Sequence, residues 1–375
     1  MRVLMIGWSA DEESGGGMEV HIKELCRNLV SLRHRVELIV PESAQKAFED
    51  TGAILNIISC KVNHDSMDGA VKSIARYNKK IIASFKNSDF GFDAIHSHDW
   101  LGVEAAEFLS KKHKKPWIHT VHSLEHIRAA QDTEDVEKKI SDIERRGVMN
   151  CDKIITVSNL MKKEIVKKFR VPSGKISVIY NSATFRGREI MRSSDKNASP
   201  TVLFAGRLAL QKGIEHLILA FEKVLKSVPS AKLVVAGSGN LDESLKSLAA
   251  TLGIEQSVVF EGFVSEEKLK ELYSTADLFV SPSVFEPFGI TVLDAVNFGA
   301  PIVATKNTGC LELFSKGSIT VAEPENSGAL AKEITRLLGD EETRRIMAGC
   351  AKNDLRNADT WKEIANKTAG VYSSV

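Results

Sequence analysis

Two parallel-sheet α/β domains in tandem are the fold that this sequence predicts, and three observations predict it. Short apolar, β-branched runs alternate with segments of helical period from end to end, the pattern of strand–helix units wound into a parallel sheet. The runs are continuously apolar, as strands buried on both faces are. The alternation stops once, over Ser182–Pro200 (SATFRGREIMRSSDKNASP), a polar stretch rich in Ser and Arg, and then resumes. At 375 residues the chain is long enough for two domains with separate cores.

In chain order, Arg2–Trp8 (RVLMIGW) is a strand by composition. Glu19–Leu32 is a helix, because Val20, Ile22, Leu25, Leu29 and Leu32 recur at helical spacing. Arg35–Val40 (RVELIV) is the next strand, and the pattern continues through Ala94–His98, Trp117–Val121, Lys153–Ser158 and Ile176–Ile179. After the break, TVLFAGR opens the second domain. Helix Gly213–Val228, strand KLVVAG, helix Leu241–Leu252, strand SVVFEG, helix Ser265–Thr275, strand DLFVSPS and a helix after Phe288 follow. PIVATK and ITVAEP complete the strand set. Ligands of open α/β sheets bind beyond the carboxyl ends of the strands, so the expected site of two such domains is the cleft between them.

Composition excludes several functions. Lys and Arg number 50 against 49 Asp and Glu, a net charge of +1, so nothing marks a nucleic-acid or acidic-membrane partner. The basic run Lys111–Lys115 reads as a solvated loop or helix end. Five cysteines (Cys26, Cys60, Cys151, Cys310 and Cys350) are widely spaced and form no C-x-x-C, which points to neither a disulfide framework nor zinc. The N-terminus MRVLMIGW is too short an apolar run for a leader peptide, and no stretch approaches the ~20 apolar residues of a membrane span. A cytoplasmic protein with no transmembrane segment is expected.

Four places carry chemistry. Ser14-Gly15-Gly16-Gly17 lies between the first strand and the first helix; Gly15, Gly16 and Gly17 let backbone approach a ligand, or serve as a plain turn. It is not a dinucleotide fingerprint, since no G-x-G-x-x-G follows the strand. GRLALQKG, Gly206 to Gly213, ends the first strand of the second domain, with Arg207 and Lys212 flanking a helix start. A guanidinium and an ammonium there suit a diphosphate, or are two surface cations. The turn Gly237-Ser238-Gly239 holds the same strand-to-helix position. Finally, in FEPFGITVLD the acids Glu286 and Asp294 stand on either side of Pro287-Phe288-Gly289-Ile290, where a helix opens. Asp294 then lies roughly 8 Å further along the helix at ~1.5 Å per residue, a separation that suits two groups gripping opposite ends of a ligand whose phosphates lie between. Carboxylates accept hydrogen bonds from sugar hydroxyls.

Histidine is dense in the first domain: His96, His98, His113, His119, His122 and His126. His96 and His98 share one side of a strand, yet no acidic or sulfur partner has ligand spacing with them, so no metal is expected. His122, at the carboxyl end of its strand, is placed to face a ligand.

Taken together, the block FVSPSVFEPFGITVLDAVNFGAPIVATKNTG resembles the signature of retaining GT-B glycosyltransferases, chiefly family 4 and the related glycogen and starch synthases. GRLALQKG resembles their diphosphate motif, and HSHDWLG and WIHTVHS resemble first-domain segments of glycogen synthases. The tail DTWKEIANKTAGVY resembles the closing helix that packs back on the first domain. The resemblance implies a GT-B fold of two Rossmann-like domains facing each other across a cleft. Residues 1–182, with a helix from about 359 to 375, would form the acceptor domain, and 183–358 the donor domain. It implies that Arg207 and Lys212 neutralise the donor diphosphate. Glu286 would bind the transferred sugar beside the Phe288–Gly289 backbone, Asp294 the ribose and His122 the sugar's reacting edge. Gly15–Gly17, Gly206, Gly237, Pro287, Ile290 and the Val264 backbone, near the nucleobase, complete the donor site. No cofactor or metal is implied. The partners are a UDP-, ADP- or GDP-linked sugar and a hydroxyl acceptor, an α-glucan if the synthase resemblance extends to substrate.

Three positions depart from the family's pattern: Asp294 where Glu is usual, Asn181-Ser182 for Asn-Gly, and Thr308-Gly309 for Gly-Gly. Mannosyl or other hexosyl transfer to a lipid or small metabolite competes with glucosyl transfer. A sugar-nucleotide epimerase and a non-catalytic sugar-nucleotide-binding module compete with transfer itself.

Overall fold

The structure is a computed structural model and describes residues 1–8, 16–60, 66–88, 91–128, 134–185 and 199–375. Its contacts divide into two units, Met1–Asn181 with Asp359–Val375, and Ser182–Ala358. Gly15 and residues 186–198 of the polar break lie outside the described residues.

The first unit is built on a seven-stranded sheet in the order β3-β2-β1-β4-β5-β6-β7, every pair parallel. The strands are β1 (Arg2–Ile6), β2 (Arg35–Pro41), β3 (Ile54–Ile58), β4 (Ala94–His98), β5 (Trp117–Val121), β6 (Lys153–Thr156) and β7 (Ile176–Val178). The second unit has a six-stranded parallel sheet ordered β10-β9-β8-β11-β12-β13. Its strands are β8 (Thr201–Ala205), β9 (Lys232–Ala236), β10 (Val258–Gly262), β11 (Leu278–Ser281), β12 (Ile302–Thr305) and β13 (Thr320–Ala322). Both sheets reverse their winding in the middle, between β1 and β4 and between β8 and β11. At such a switch point the connections leave in opposite directions and open a crevice at the carboxyl ends.

Helix Gly17–Ser31 buries His21, Ile22, Leu25, Cys26 and Leu29. The apolar period predicted from Val20 is therefore turned by one residue, and an imidazole occupies the core stripe. Helix Trp361–Tyr372 packs against it within the first unit. A capping box between Thr360 and Glu363 starts that helix, and Trp361, Ile364, Ala365, Thr368 and Tyr372 are buried at i, i+3, i+4 spacing. The core of the second unit is continuous from β8 and β9 to the helices Ile214–Ser227 and Ser327–Leu338. A fully buried Leu or Ile contributes roughly 1.5–3 kcal/mol, so this core is ample to fix the loops it carries.

Where the sequence reading and the structure differ, local chemistry explains it. The strand expected over Lys153–Ser158 ends at Thr156, because Ser158 caps the helix Asn159–Phe169 by accepting the Met161 amide at 3.0 Å. The helix expected from Gly213 begins at Ile214, since Gly213 is left-handed at φ 63°. Strand β3 escapes the composition rule because it is an edge strand, with Ile54 and Ile57 exposed. Strands β4 and β5 are wholly buried although half polar, carrying His96, Ser97, His98, His119 and Thr120 inward.

Candidate functional site

At the switch point of the second unit, the loops after β8, β9 and β11 are knitted together by backbone. The Leu208 amide donates to the Ser238 carbonyl at 2.9 Å, and the Val284 amide to the Gln211 carbonyl at 2.9 Å. Two glycines permit this. A Cβ on Gly237 would sit 1.9 Å from the Gly206 carbonyl oxygen, and one on left-handed Gly213 would sit 2.2 Å from that of Pro282. Arg207 and Lys212 ride on this frame; Arg207 is exposed. The Lys212 ammonium donates to Glu286 Oε2, with 23% of the lysine and 11% of the glutamate side chain exposed.

Glu286 is held from its main chain. Its amide donates to Asn307 and its carbonyl accepts from Gly309, both at 2.9 Å. Phe288 and Ile290 bury their side chains, and the Phe288 carbonyl accepts the Cys310 amide at 2.7 Å. Gly289, at φ 102°, then turns the chain into helix Ile290–Asn297, whose first amides have no intrahelical partners. Pro287 is half-buried between Glu286 and Phe288. One cation, Lys212, and the turn at Gly289 that opens the helix thus stand beside one carboxylate.

Asp294 lies deeper. It is 4% exposed, and its Oδ1 accepts the amides of Thr184 at 2.7 Å and Phe185 at 3.1 Å. Burial raises its pKa to about 7, against the lowering effect of those bonds. The Thr184 side chain bonds the same carboxylate as well. Val264 is half-buried beyond the end of β10, next to exposed Phe263.

In the first unit, Gly16 and Gly17 stand exposed at the start of helix Gly17–Ser31, with Gly16 extended as its N-cap. His122 follows β5. Its amide donates to Asp99 Oδ1 at 2.7 Å, and its Nε2 lies 3.0 Å from His98 Nδ1. Asp99 has a left-handed backbone, φ 45°, which costs a residue with a Cβ about 1–2 kcal/mol. That position lets one carboxylate also take the Ser123 amide and the Arg128 guanidinium. Burial, with Arg128 and His119 adding repulsion, pushes the pKa of His122 down to about 3, so its ring is neutral at pH 7. His96 is satisfied at both nitrogens, by Tyr372 and Thr120 at 2.7 Å each.

The sequence reading missed His21, Asp99 and Arg128. A signal existed for the first, an imidazole on the apolar stripe of an amphipathic helix. In space His21 of a distant helix joins His98 and His122, a grouping that spacing along the sequence does not offer.

Comparison with known proteins follows the same division of the chain. The family described as Glycosyltransferase Family 4 matches residues 15–183, and that described as Glycosyl transferases group 1 matches residues 187–354. An uncharacterized glycosyltransferase of Methanocaldococcus jannaschii is 31% identical over 99% of this chain and 98% of its own. The glycogen synthase of Mycobacterium tuberculosis is 26% identical over 99% of this chain and 94% of its own. Among solved structures, HepE of Anabaena in complex with UDP-glucose superposes with a TM-score of 0.78 at 19% identity, covering 100% of both chains.

Proposed function

The chain belongs to the family 4 glycosyltransferases of the GT-B fold, and on that premise we propose that it transfers a hexose, glucose by preference, from a nucleoside-diphosphate sugar to an acceptor hydroxyl with retention of configuration. The observation that carries this reading is the Gly206–Gly213 loop interlocked at a switch point with the Pro282–Val284 segment that leads into Glu286, with Lys212 already bonded to Glu286. In the proposed reaction the bond between the sugar's C1 and the phosphate oxygen breaks, and its electron pair leaves with the diphosphate. Arg207, Lys212 and the helix N-terminus at Gly289 stabilise that charge. The acceptor oxygen bonds to C1 from the face the diphosphate leaves, and its proton passes to the departing phosphate. No protein nucleophile and no metal takes part; positioning and charge stabilisation supply the rate.

Glu286 holds hydroxyls of the transferred sugar, Asp294 the ribose, and backbone near Val264 the base. His122, neutral and buried, serves the sugar's reacting edge. A UDP-linked glucose donor is supported by the structural likeness to HepE, solved with UDP-glucose, and an α-glucan acceptor by the similarity to a glycogen synthase. The proposed setting is the cytoplasm, in keeping with five free cysteines. No helix among the described residues is long and apolar enough to cross a membrane.

The test is nucleoside-diphosphate release from a panel of UDP-, ADP- and GDP-sugars, with and without EDTA and a short α-glucan. Acceptor-dependent release that survives EDTA is expected. Binding without release across the panel would favour an epimerase or a binding module.

A further inference from the structure

His21, His98 and His122 come from three separate places in the sequence, yet each puts a ring nitrogen within 4.8 Å of the other two. All three are buried, at 1%, 1% and 8% exposure. Their ring centroids are 5.7 Å (His21–His98), 4.6 Å (His21–His122) and 5.3 Å (His98–His122) apart. Three imidazoles on one tetrahedral Zn²⁺, with Zn–N of about 2.0–2.1 Å, place their ligating nitrogens about 3.3 Å and their ring centroids about 5 Å apart. The His98 Nδ1 to His122 Nε2 distance of 3.0 Å is already close to that spacing.

Protonation and an orphaned atom point the same way. His21 Nδ1 lies 2.7 Å from Asn181 Oδ1, which takes the Nδ1 proton and leaves Nε2 as a bare lone pair. An outer partner that fixes the tautomer in this way is what metal-binding histidines have. His21 Nε2 is buried without a hydrogen-bond partner. Buried polar atoms are otherwise nearly always paired.

We propose that His21, His98 and His122 form a binding site for one divalent transition-metal ion of the Zn²⁺ type at the carboxyl ends of β4 and β5. All-nitrogen ligation selects Zn²⁺ or Co²⁺ over Mg²⁺ and Ca²⁺, which require oxygen. Three protein ligands leave a fourth position for water. The ion takes the place of the proton shared by His98 and His122, and so withdraws His122 from any other partner. Because His122 is also the residue proposed to serve the sugar's reacting edge, a bound ion would compete with that role and slow transfer; metal retention is measured without turnover, so the two readings can fail separately.

The experiment uses the full chain, stripped with chelator, incubated with excess Zn²⁺ and gel-filtered before metal analysis; Co²⁺ is followed by its visible absorption. About one Zn²⁺ per chain, a tetrahedral Co²⁺ spectrum and no retention of Mg²⁺ are expected. His21→Gln and His122→Gln should each weaken Zn²⁺ binding at least tenfold, while His216→Gln, in the other unit, should leave it unchanged. Zn²⁺ should also raise the melting temperature of the wild-type chain, a readout that needs no variant to fold. No retained Zn²⁺ on the wild-type chain, an octahedral Co²⁺ spectrum, or equal binding by wild type and both site variants would each overturn the proposal.

Discussion

Replacing Glu286 with Gln tests the two halves of the proposed donor site against each other. In the free protein Lys212 is paired with Glu286, so a phosphate must share that ammonium with the carboxylate. The side chains are 23% and 11% exposed, between a surface pair, worth roughly 0–1 kcal/mol, and a buried one, whose breaking costs ~3–5 kcal/mol. Taking about 1 kcal/mol as the attraction released, Glu286→Gln should leave nucleoside-diphosphate affinity unchanged or up to about fivefold tighter. The same change removes the charge-assisted hydrogen bonds proposed to the sugar, each worth roughly 1.5–3 kcal/mol, so transfer should fall at least about tenfold. Titration calorimetry with the free nucleotide, beside the transfer rate, reads both. A tenfold loss of nucleotide affinity in step with activity would refute the division of labour and make Glu286 part of the phosphate frame.

Other outcomes follow from the same geometry. Lys212→Ala should weaken nucleoside-diphosphate binding by about tenfold to a hundredfold, the worth of one charged hydrogen bond, and unchanged affinity on calorimetry would remove Lys212 from the phosphate site. Gly213→Ala puts a Cβ 2.2 Å from the Pro282 oxygen at φ 63°; left-handed strain of ~1–2 kcal/mol and overpacking of ~1–3 kcal/mol should together lower stability by about 2–5 kcal/mol in urea melts, and a wild-type midpoint would contradict the interlocked loops. Asp294 has its pKa raised from 3.8 to about 7, so the folded state holds a proton that the unfolded chain has lost, and its contribution falls as pH rises between those values. Asp294→Asn should flatten that part of the stability–pH curve; an unaltered slope would mean that Asp294 is ionised in the fold. Thr360→Ala should cost about 1 kcal/mol through loss of the capping box, seen as a lower melting temperature.

The donor-side features were legible because they are local. Glycines and cations at a strand-to-helix turn declare themselves by spacing, and the parallel strands of the second unit by apolar runs. The features that stayed hidden are tertiary. The Lys212–Glu286 pair joins residues 74 positions apart, so spacing gives no sign that the two proposed ligand contacts touch each other. Asp294 reads in sequence as a ligand contact, with no sign that the chain at Thr184–Phe185 folds over it. The first-unit histidines read as a scatter because strands β4 and β5 carry polar residues inward, and only the packing of helix Gly17–Ser31 brings His21 to them. Strand β3 was obscured by its edge position, where one face is free of the apolar requirement.

The most direct test of the central claim is a crystal structure of the chain with the nucleoside diphosphate that the donor panel selects. The account predicts the phosphates against Arg207, Lys212 and the amides at Gly289, with the ribose toward Asp294. A nucleotide seated elsewhere, with the Gly206–Gly213 loop and the Lys212–Glu286 pair untouched, would contradict it.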